Sequence, residues 1–317
     1  MTASLAALLV ATKFIVVSDI HVSPKAVVAP AFKAVVERIV ERKPRFVVIV
    51  GDSTNGNKDD HHTAATVAKW WKALRGALEP LRAAGIPVLP VAGNHDSYRD
   101  VHRRGYFDAW SDLADVARPL EVRGRAATSP EIDALPFSYS VDVDGLHLSL
   151  AHIVDQGAPA AVKKWLEADL RGASSSQARL VFGHVPLMSV MGRTSDSFKK
   201  KFGSFLIENR VAAYVAGHEH LAWDEDVAVS ASARVRQVTV GTSSGTYNFG
   251  LSKASRAKAK CAAGRCTMPH GGYRFAIQGD GKQKHKATFA EISVEGGAVA
   301  ATHHALGASG ALVPFAE

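Results

Sequence analysis

Cysteines and long apolar runs are scarce in this 317-residue chain, and each scarcity excludes a class of structure. No stretch of 18 or more apolar residues occurs, so we expect no helix that spans a membrane. The two cysteines, Cys261 and Cys266, have no second cysteine pair or nearby histidine pair with which to form a zinc knuckle. They are therefore interpreted either as a local disulfide, which would favour a periplasmic or secreted protein, or as two surface thiols.

The first residues are apolar, but they lack the basic residues with which a signal peptide begins. Residues 1–12 are interpreted as an apolar lead-in or as the remnant of a signal peptide. The chain is 47% hydrophobic and can bury a large core, so we predict that residues 13–317 form a single domain. A formal net charge of +8 suits acidic partners such as phosphate esters or nucleic acid, although a basic surface also serves solubility.

The first half of the chain alternates short apolar runs with helical patterns. Residues 13–18, 46–50 and 87–91 are predicted strands, and helices are predicted near residues 28–42 and 61–84. This alternation indicates right-handed βαβ crossovers and therefore a parallel sheet.

The pattern changes after Pro136. Residues on either side of Asp144-Gly145 alternate with period two, which predicts a hairpin. Helices are then predicted near residues 159–170 and 196–209, strands at 179–182 and 211–215, and mostly antiparallel strands from residue 223, ending with 286–294 and 298–303. Residues 252–272 are rich in Lys, Ala and Gly and are interpreted as a loop.

Polar residues follow five of the predicted strands. The five motifs are Asp19-Ile20-His21, Gly51-Asp52, Gly93-Asn94-His95-Asp96, Gly183-His184 and Gly217-His218-Glu219-His220. Sites in open α/β sheets form beyond the carboxyl ends of the strands, so these motifs should converge. One such motif alone would more often be a turn or a hydrogen-bonded core histidine. Five together indicate a metal site, and their oxygen and nitrogen donors suit two zinc, manganese or iron ions rather than calcium.

The order D-x-H, G-D, G-N-H-D, G-H and G-H-x-H resembles that of the calcineurin-like metallophosphoesterases, which include purple acid phosphatases, cyclic-nucleotide phosphodiesterases and nucleases. The resemblance covers Asp19 to His220, about two-thirds of the chain. It implies a four-layer αββα sandwich of two mixed sheets flanked by helices. It also implies a hydrolase of phosphate monoesters or diesters that holds two divalent metal ions and uses a metal-bridging hydroxide to attack phosphorus in line.

The resemblance implies a role for each matching residue. One metal would be held by Asp19, His21, Asp52 and His220. The other would be held by Asp52, Asn94, His184 and His218, with Asp52 bridging the two. His95 would be an acid or a phosphate-binding group beside the metals, and Asp96 would orient it.

One position departs from purple acid phosphatases. Those enzymes place a tyrosine ligand three residues after the bridging aspartate and lack the histidine of D-x-H, whereas this chain has Asn55 and His21 there. An iron–tyrosinate chromophore is therefore not expected. Asn55 is interpreted as a turn residue or a substrate contact, and His152, after the predicted strand 146–150, as a substrate contact or a packed histidine.

Two other functions are compatible with the sequence. A non-catalytic scaffold of the same fold would bind partner proteins, but such a protein could lose ligands without penalty, and here every ligand is present. A nuclease is less favoured because no appended DNA-binding or coiled-coil segment is visible. The favoured partner is therefore a small-molecule phosphate ester rather than nucleic acid.

Overall fold

The computed structural model describes residues 11–175, 177–189, 194–245, 287–307 and 309–313, and the backbone of short strands between residues 248 and 284. Most of the predicted lead-in, residues 1–10, lies outside these ranges, and Thr12 already belongs to the first strand. Within the described residues, no helix has the length and apolar composition needed to cross a bilayer.

Seven helices occur in the described ranges. They are α1 (Pro30–Arg42), α2 (Ala64–Ala77), α3 (Glu79–Ala83), α4 (Asp100–Ala109), α5 (Leu113–Val116), α6 (Ala160–Gly172) and α7 (Asp196–Glu208). The strands up to residue 239 are β1 (Thr12–Val17), β2 (Val47–Val50), β3 (Val88–Val91), β4 (Val122–Arg123), β5 (Tyr139–Val143), β6 (Leu146–Leu150), β7 (Ala178–Phe182), β8 (Val211–Ala216), β9 (Trp223–Ala228) and β10 (Arg234–Thr239). The later strands are β11 (Asn248–Phe249), β12 (Lys260–Ala262), β13 (Arg265–Thr267), β14 (Arg274–Phe275), β15 (Gln283–Lys284), β16 (Thr288–Glu295), β17 (Ala298–Leu306) and β18 (Leu312–Val313).

Two large sheets organise the molecule, and both are mixed. The first has the order β18-β17-β16-β1-β2-β3, in which β1, β2 and β3 are parallel and the other pairs are antiparallel. The second has the order β4-β5-β6-β7-β8-β10-β9, in which β6, β7, β8 and β10 are parallel. The predicted hairpin is the β5–β6 pair. Its turn residues Asp144 and Gly145 have φ of 48° and 79°, and a two-residue type I′ turn requires such positive values at both positions.

The two sheets pack face to face and each carries helices on its outer face. Side chains of β1 and β2, such as Phe14 and Val48, share one buried cluster with Leu148 and Phe182 of the second sheet. The opposite face of the first sheet packs against α1, α2, α3 and α4, and that of the second against α6 and α7. These clusters form four layers, helix–sheet–sheet–helix, and the predicted αββα sandwich is confirmed.

The long helix predicted for residues 61–84 is wrong in its extent. α2 begins at Ala64, where the Thr63 side chain accepts a hydrogen bond from the Thr66 N–H at 3.2 Å. It ends at Ala77, and Pro80, which has no N–H to donate to the preceding turn, lies in the separate helix α3.

The segment predicted as a loop, residues 252–272, includes two short strands. β12 and β13 pair antiparallel, and their register places Cys261 opposite Cys266. The disulfide between these residues stays a prediction, and the rest of the segment lies outside the described residues.

Candidate metal centre

The polar motifs that follow the parallel strands meet at one end of the two sheets. Each motif begins within two residues of the end of β1, β2, β3, β7 or β8. Two groups of side chains from these motifs could each hold a metal ion. Within each group, the ligand atoms all lie within 4.8 Å of one another. The first contains Asp19, His21, Asp52 and His220, and the second contains Asp52, His184 and His218. Asp52 belongs to both groups, so its carboxylate is placed to bridge two ions.

In the first group, imidazole nitrogens and carboxylate oxygens face one another. Nε2 of His220 lies 3.2 Å from Oδ1 of Asp19 and 3.2 Å from Nε2 of His21. Nε2 of His21 is 3.8 Å from Asp19 Oδ1 and 3.8 Å from Asp52 Oδ2. The Ser18 hydroxyl lies 2.6 Å from Oδ2 of Asp19, so Asp19 presents its Oδ1 to the histidines.

In the second group, His184 connects Asp52 with His218. Nε2 of His184 is 3.0 Å from Asp52 Oδ2 and 3.3 Å from Nδ1 of His218. Nδ1 of His184 lies 2.9 Å from the carbonyl oxygen of Val50, which can only accept a hydrogen bond. Nδ1 therefore carries a proton, and Nε2 is the nitrogen available to a metal.

Asn94 lies beside the second group and tests whether a cation fits there. Its side-chain oxygen is buried and accepts no hydrogen bond from the described residues. Its amide nitrogen donates to the Tyr98 hydroxyl at 2.6 Å. A buried carbonyl oxygen without a donor is costly, and a cation would remove that cost. The donor set fits two divalent metal ions.

The charges of the two carboxylates dominate the site. Burial raises the pKa of Asp19, but the charges of His220 and His184 and hydrogen bonds from His21 and His220 hold it well below its usual range. Burial also raises the pKa of Asp52, but the charges of His184 and His95 outweigh it and lower the pKa below its usual range. Burial lowers the pKa of His184, but the carboxylates of Asp52 and Asp19 raise it to about 9. The carboxylates thus attract positive charge, and a metal entering this group displaces protons from its histidines.

Five of the candidate ligands adopt the left-handed backbone conformation. Their φ angles lie between 48° and 69°, and they are Asp19, His21, Asp52, His218 and His220. This conformation costs roughly 1–2 kcal/mol for an L-residue other than glycine, and such residues cluster at functional sites. Backbone hydrogen bonds beyond the strand ends hold it, from Asp19 N–H to Gly51 O at 3.1 Å and from His21 N–H to Asp52 O at 3.0 Å.

The glycines of the motifs allow the ligand loops to approach closely. A Cβ on Gly93 would lie 2.1 Å from the backbone nitrogen of Asp52 and 2.2 Å from its Oδ1. A Cβ on Gly51, whose φ is +77°, would lie 2.3 Å from Nδ1 of His184. These positions therefore require glycine.

His95 lies at the rim of the two groups rather than within them. Its Nε2 is 4.0 Å from Asp52 Oδ2, and its side chain is 25% exposed. Its backbone N–H donates to Asp52 Oδ1 at 2.9 Å, which leaves Oδ2 for the histidines. The ring can therefore meet a group that approaches the two ligand groups from solvent.

The carboxylate of Asp96 binds the backbone of the loops around it. Its carboxylate accepts hydrogen bonds from the N–H groups of Gly93, Ser53 and Thr54 at 2.9–3.1 Å and from the Thr54 hydroxyl at 2.9 Å. Among the described residues it makes no hydrogen bond to the ring of His95, whose Nδ1 is buried without a partner. Asp96 thus holds the loop that carries Asp52, and its role in orienting His95 stays a prediction.

The two residues interpreted as substrate contacts are placed differently. His152 is 4% exposed, its Nε2 lies 3.0 Å from the Ser97 hydroxyl, and its ring packs against Phe137. Burial and the nearby Arg103 lower the pKa of His152 to about 4, as for a neutral packed histidine. Asn55 is half-buried in the loop after Asp52, and its contact with substrate stays a prediction.

Sequence reasoning missed Thr242 and Ser243 as part of the site. The Ser243 N–H donates to the Ser18 carbonyl at 2.8 Å, and the Ser243 hydroxyl accepts from the Ser18 N–H at 3.1 Å. The Thr242 hydroxyl donates to the Asp19 carbonyl at 2.8 Å. Thr242 and Ser243 belong to a run of polar residues after strand β10, just as the five motifs follow their strands. This position after a strand is the signal that could have identified them.

A family model described as calcineurin-like phosphoesterase matches residues 12–222. A comparison with curated protein sequences finds no match. Among solved structures, the chain is similar to a purple acid phosphatase from yellow lupin (Lupinus luteus) seeds, with a TM-score of 0.60 and 13% identity over 94% of this chain and 52% of that one. This chain thus spans about half the length of the lupin phosphatase.

Two further solved structures are similar over most of both chains. GAP50 of Plasmodium, described as the anchor in the inner membrane complex, has a TM-score of 0.55 at 13% identity, over 93% of this chain and 84% of that one. A dimetal phosphatase from Danio rerio has a TM-score of 0.51 at 11% identity, over 91% of this chain and 98% of that one. At such identities the likeness concerns the fold.

Proposed function

Because this chain belongs to the calcineurin-like phosphoesterase family, we propose that it is a hydrolase of phosphate esters that works with two divalent metal ions. The observation that carries the proposal is the pair of ligand groups that share Asp52. Members of this family generally bind two divalent metals, and a chain that no longer needed them would have no reason to keep both groups complete.

The residues of each group would hold one ion. Asp19, His21, Asp52 and His220 would hold the first, and Asp52, His184, His218 and Asn94 the second. Bound metals in such sites lower the pKa of water toward about 7 and neutralise charge on phosphoryl oxygens.

The chain's own charges suit an anionic substrate. Asp19 and Asp52 contribute two negative charges against the four positive charges of two dications, and neutral histidines and Asn94 contribute none. The loaded centre is therefore positive and attracts a phosphate ester. Asp19 and His184 are fully buried, whereas His95 is 25% and the His220 side chain 13% exposed, so the ester approaches from the side of these two histidines.

His95 is the group best placed to handle a proton. It is not a member of either ligand group, yet its Nε2 lies 4.0 Å from the shared Asp52 carboxylate. From this position an imidazolium donates a proton to the oxygen of the departing alcohol or binds a phosphoryl oxygen.

The test is a panel of aryl phosphate monoesters and diesters assayed with metal-stripped protein to which single metals are restored. We expect hydrolysis to return with two metals per chain, measured by elemental analysis, and the preferred ester class to separate a phosphatase from a phosphodiesterase. Full loading with two metals and no hydrolysis of any ester would contradict the proposal.

A non-catalytic scaffold is the second candidate, because GAP50, similar in fold, is described as an anchor. A scaffold of this fold would bind a partner protein whether or not its metals are present. The complete ligand groups favour the hydrolase.

A further inference from the structure

A pocket of about 330 Å³ opens beside the second ligand group. Two candidate ligands, Asn94 and His218, form part of its lining, and the remaining wall includes Tyr98, Val154, Asp155 and Val185. The volume is at the lower end of the range for small-molecule sites. A phosphoryl group at the second metal position would therefore have this pocket directly beside it.

Residues that line the pocket contact residues of the metal centre. The Tyr98 hydroxyl accepts a hydrogen bond from Asn94 Nδ2 at 2.6 Å, and its ring packs edge-on against His95 with the centroids 5.2 Å apart. On the other side, the Ile153 carbonyl accepts from the N–H groups of His184 and Val185 at 2.9 and 3.1 Å. The pocket thus keeps a set position relative to the ligands, which is what a substrate subsite needs.

The lining combines an aromatic ring, aliphatic groups, the polar side chains of Ser97 and Gln156, and one carboxylate. Tyr98 is 39% exposed, which is unusual for a large hydrophobic side chain in this molecule, and Val154 and Val185 supply apolar surface. Among the described lining residues Asp155 is the charged side chain, and none is Lys or Arg. This lining contrasts with the net charge of +8 of the whole chain.

From this lining we infer that the pocket receives the alcohol portion of the phosphate ester and selects an aromatic alcohol that carries a positive charge or a hydrogen-bond donor. The inference rests on the proposed function. The Tyr98 ring and the two valines take up the planar apolar part, and Asp155 meets the donor at the far end. No described lining residue is Lys or Arg, so an alcohol portion with its own carboxylate or further phosphates is repelled by Asp155 and gains no partner from the pocket wall.

The experiment compares 4-(aminomethyl)phenyl phosphate with 4-(carboxymethyl)phenyl phosphate, whose charged groups lie one methylene from the ring. Wild-type protein loaded with two metals should show a kcat/KM roughly three- to tenfold higher for the cationic ester, because the exposed Asp155 carboxylate attracts one ester and repels the other. Asp155→Asn should remove most of this preference, so that the two charged esters approach the same kcat/KM, while elemental analysis still finds two metals per chain. Glu79→Gln, which removes an exposed carboxylate from α3, is the matched control and should keep the preference.

A parallel measurement separates this inference from the proposed function. Binding of the two corresponding non-hydrolysable benzylphosphonates to the loaded protein is measured by calorimetry. If the protein binds the cationic phosphonate more tightly and Asp155→Asn abolishes that difference, the inference about the pocket is supported. This holds even if no ester is hydrolysed, and then only the proposed function is rejected. The inference is overturned if phenyl phosphate is hydrolysed but both charged esters have equal kcat/KM, or if both phosphonates bind equally. Neither result contradicts the proposed function.

Discussion

At the scale of single residues, Asp52 differs from the other candidate ligands because it belongs to both groups. We expect Asp52→Ala to lose metal from both positions, whereas His21→Ala should chiefly weaken one, since His21 lies in the first group. Elemental analysis after dialysis measures the outcome. His61→Ala, which removes a histidine outside both groups, is the control and should keep two metals per chain. Two metals per chain in Asp52→Ala would contradict the bridging role.

His95 should matter in proportion to the need of the leaving group for a proton. General acid catalysis typically contributes about 10²–10⁴-fold, and most for poor leaving groups. His95→Ala should therefore keep both metals, reduce turnover of alkyl phosphates strongly and spare nitrophenyl esters. Rates across a leaving-group series check this. Equal losses across the series would instead show that His95 binds a phosphoryl oxygen.

At the scale of elements, the loop after β3 crosses the loop after β2 at Gly93, where there is no room for a side chain. Gly93→Ala should displace Asp52, destabilise the protein by about 1–3 kcal/mol and reduce metal content. Gly76→Ala is the matched control, because nothing lies within 4 Å of its added Cβ in helix α2. It should be neutral or stabilise by up to about 1 kcal/mol. Denaturant unfolding of both variants measures the difference, and similar stabilities would refute the close crossing.

The sequence predicted those parts of the fold that depend on local pattern. Polar residues after neighbouring parallel strands meet at the carboxyl ends of those strands, so Asp19 and Asp52 could be placed together without coordinates. His184 follows β7 of the other sheet, and only the resemblance placed it beside them. Hydrogen bonds between residues far apart in the sequence could not be predicted, because they depend on how the folded chain packs. Asp96 binds the backbone of a loop about 40 residues away, and Ser243 binds Ser18 across 225 residues, and neither contact leaves a local pattern. The break between α2 and α3 does have a local signal, because Pro80 lacks the N–H that would continue the preceding helix.

At the scale of the whole molecule, the pH dependence of stability should include a contribution from Glu225 of β9. Burial, and next the charge of Asp226, raise the pKa of Glu225 from the usual 4.5 to about 7 in the fold. Below pH 4.5 the carboxyl is neutral in both the folded and the unfolded chain. Between pH 4.5 and about 7 the unfolded chain ionises while the folded chain stays neutral, so wild type loses stability over this range and little more above it.

Glu225→Gln, which cannot ionise, should therefore match wild type at pH 4. It should be more stable than wild type by about 1 kcal/mol at pH 8, a value discounted for the partial exposure of the carboxyl. Glu295→Gln, an exposed carboxylate of β16, is the control. Denaturant unfolding at both pH values measures this, and a constant difference between Glu225→Gln and wild type would exclude the shift.

The order of strands in the first sheet has a consequence for how the chain is made. β1 leaves the ribosome before the other described strands, yet it lies between β2 and β16, and β16 begins at Thr288. Thr242 and Ser243, which brace the loop of Asp19, also follow the last candidate ligand, His220. A nascent chain that has reached residue 222 therefore contains every candidate ligand, but β1 still has one unpaired side and the Asp19 loop lacks its brace. The ligands of the metal centre are therefore all synthesised before the strand that completes the sheet beside them, so assembly of the centre must wait until β16 has been made.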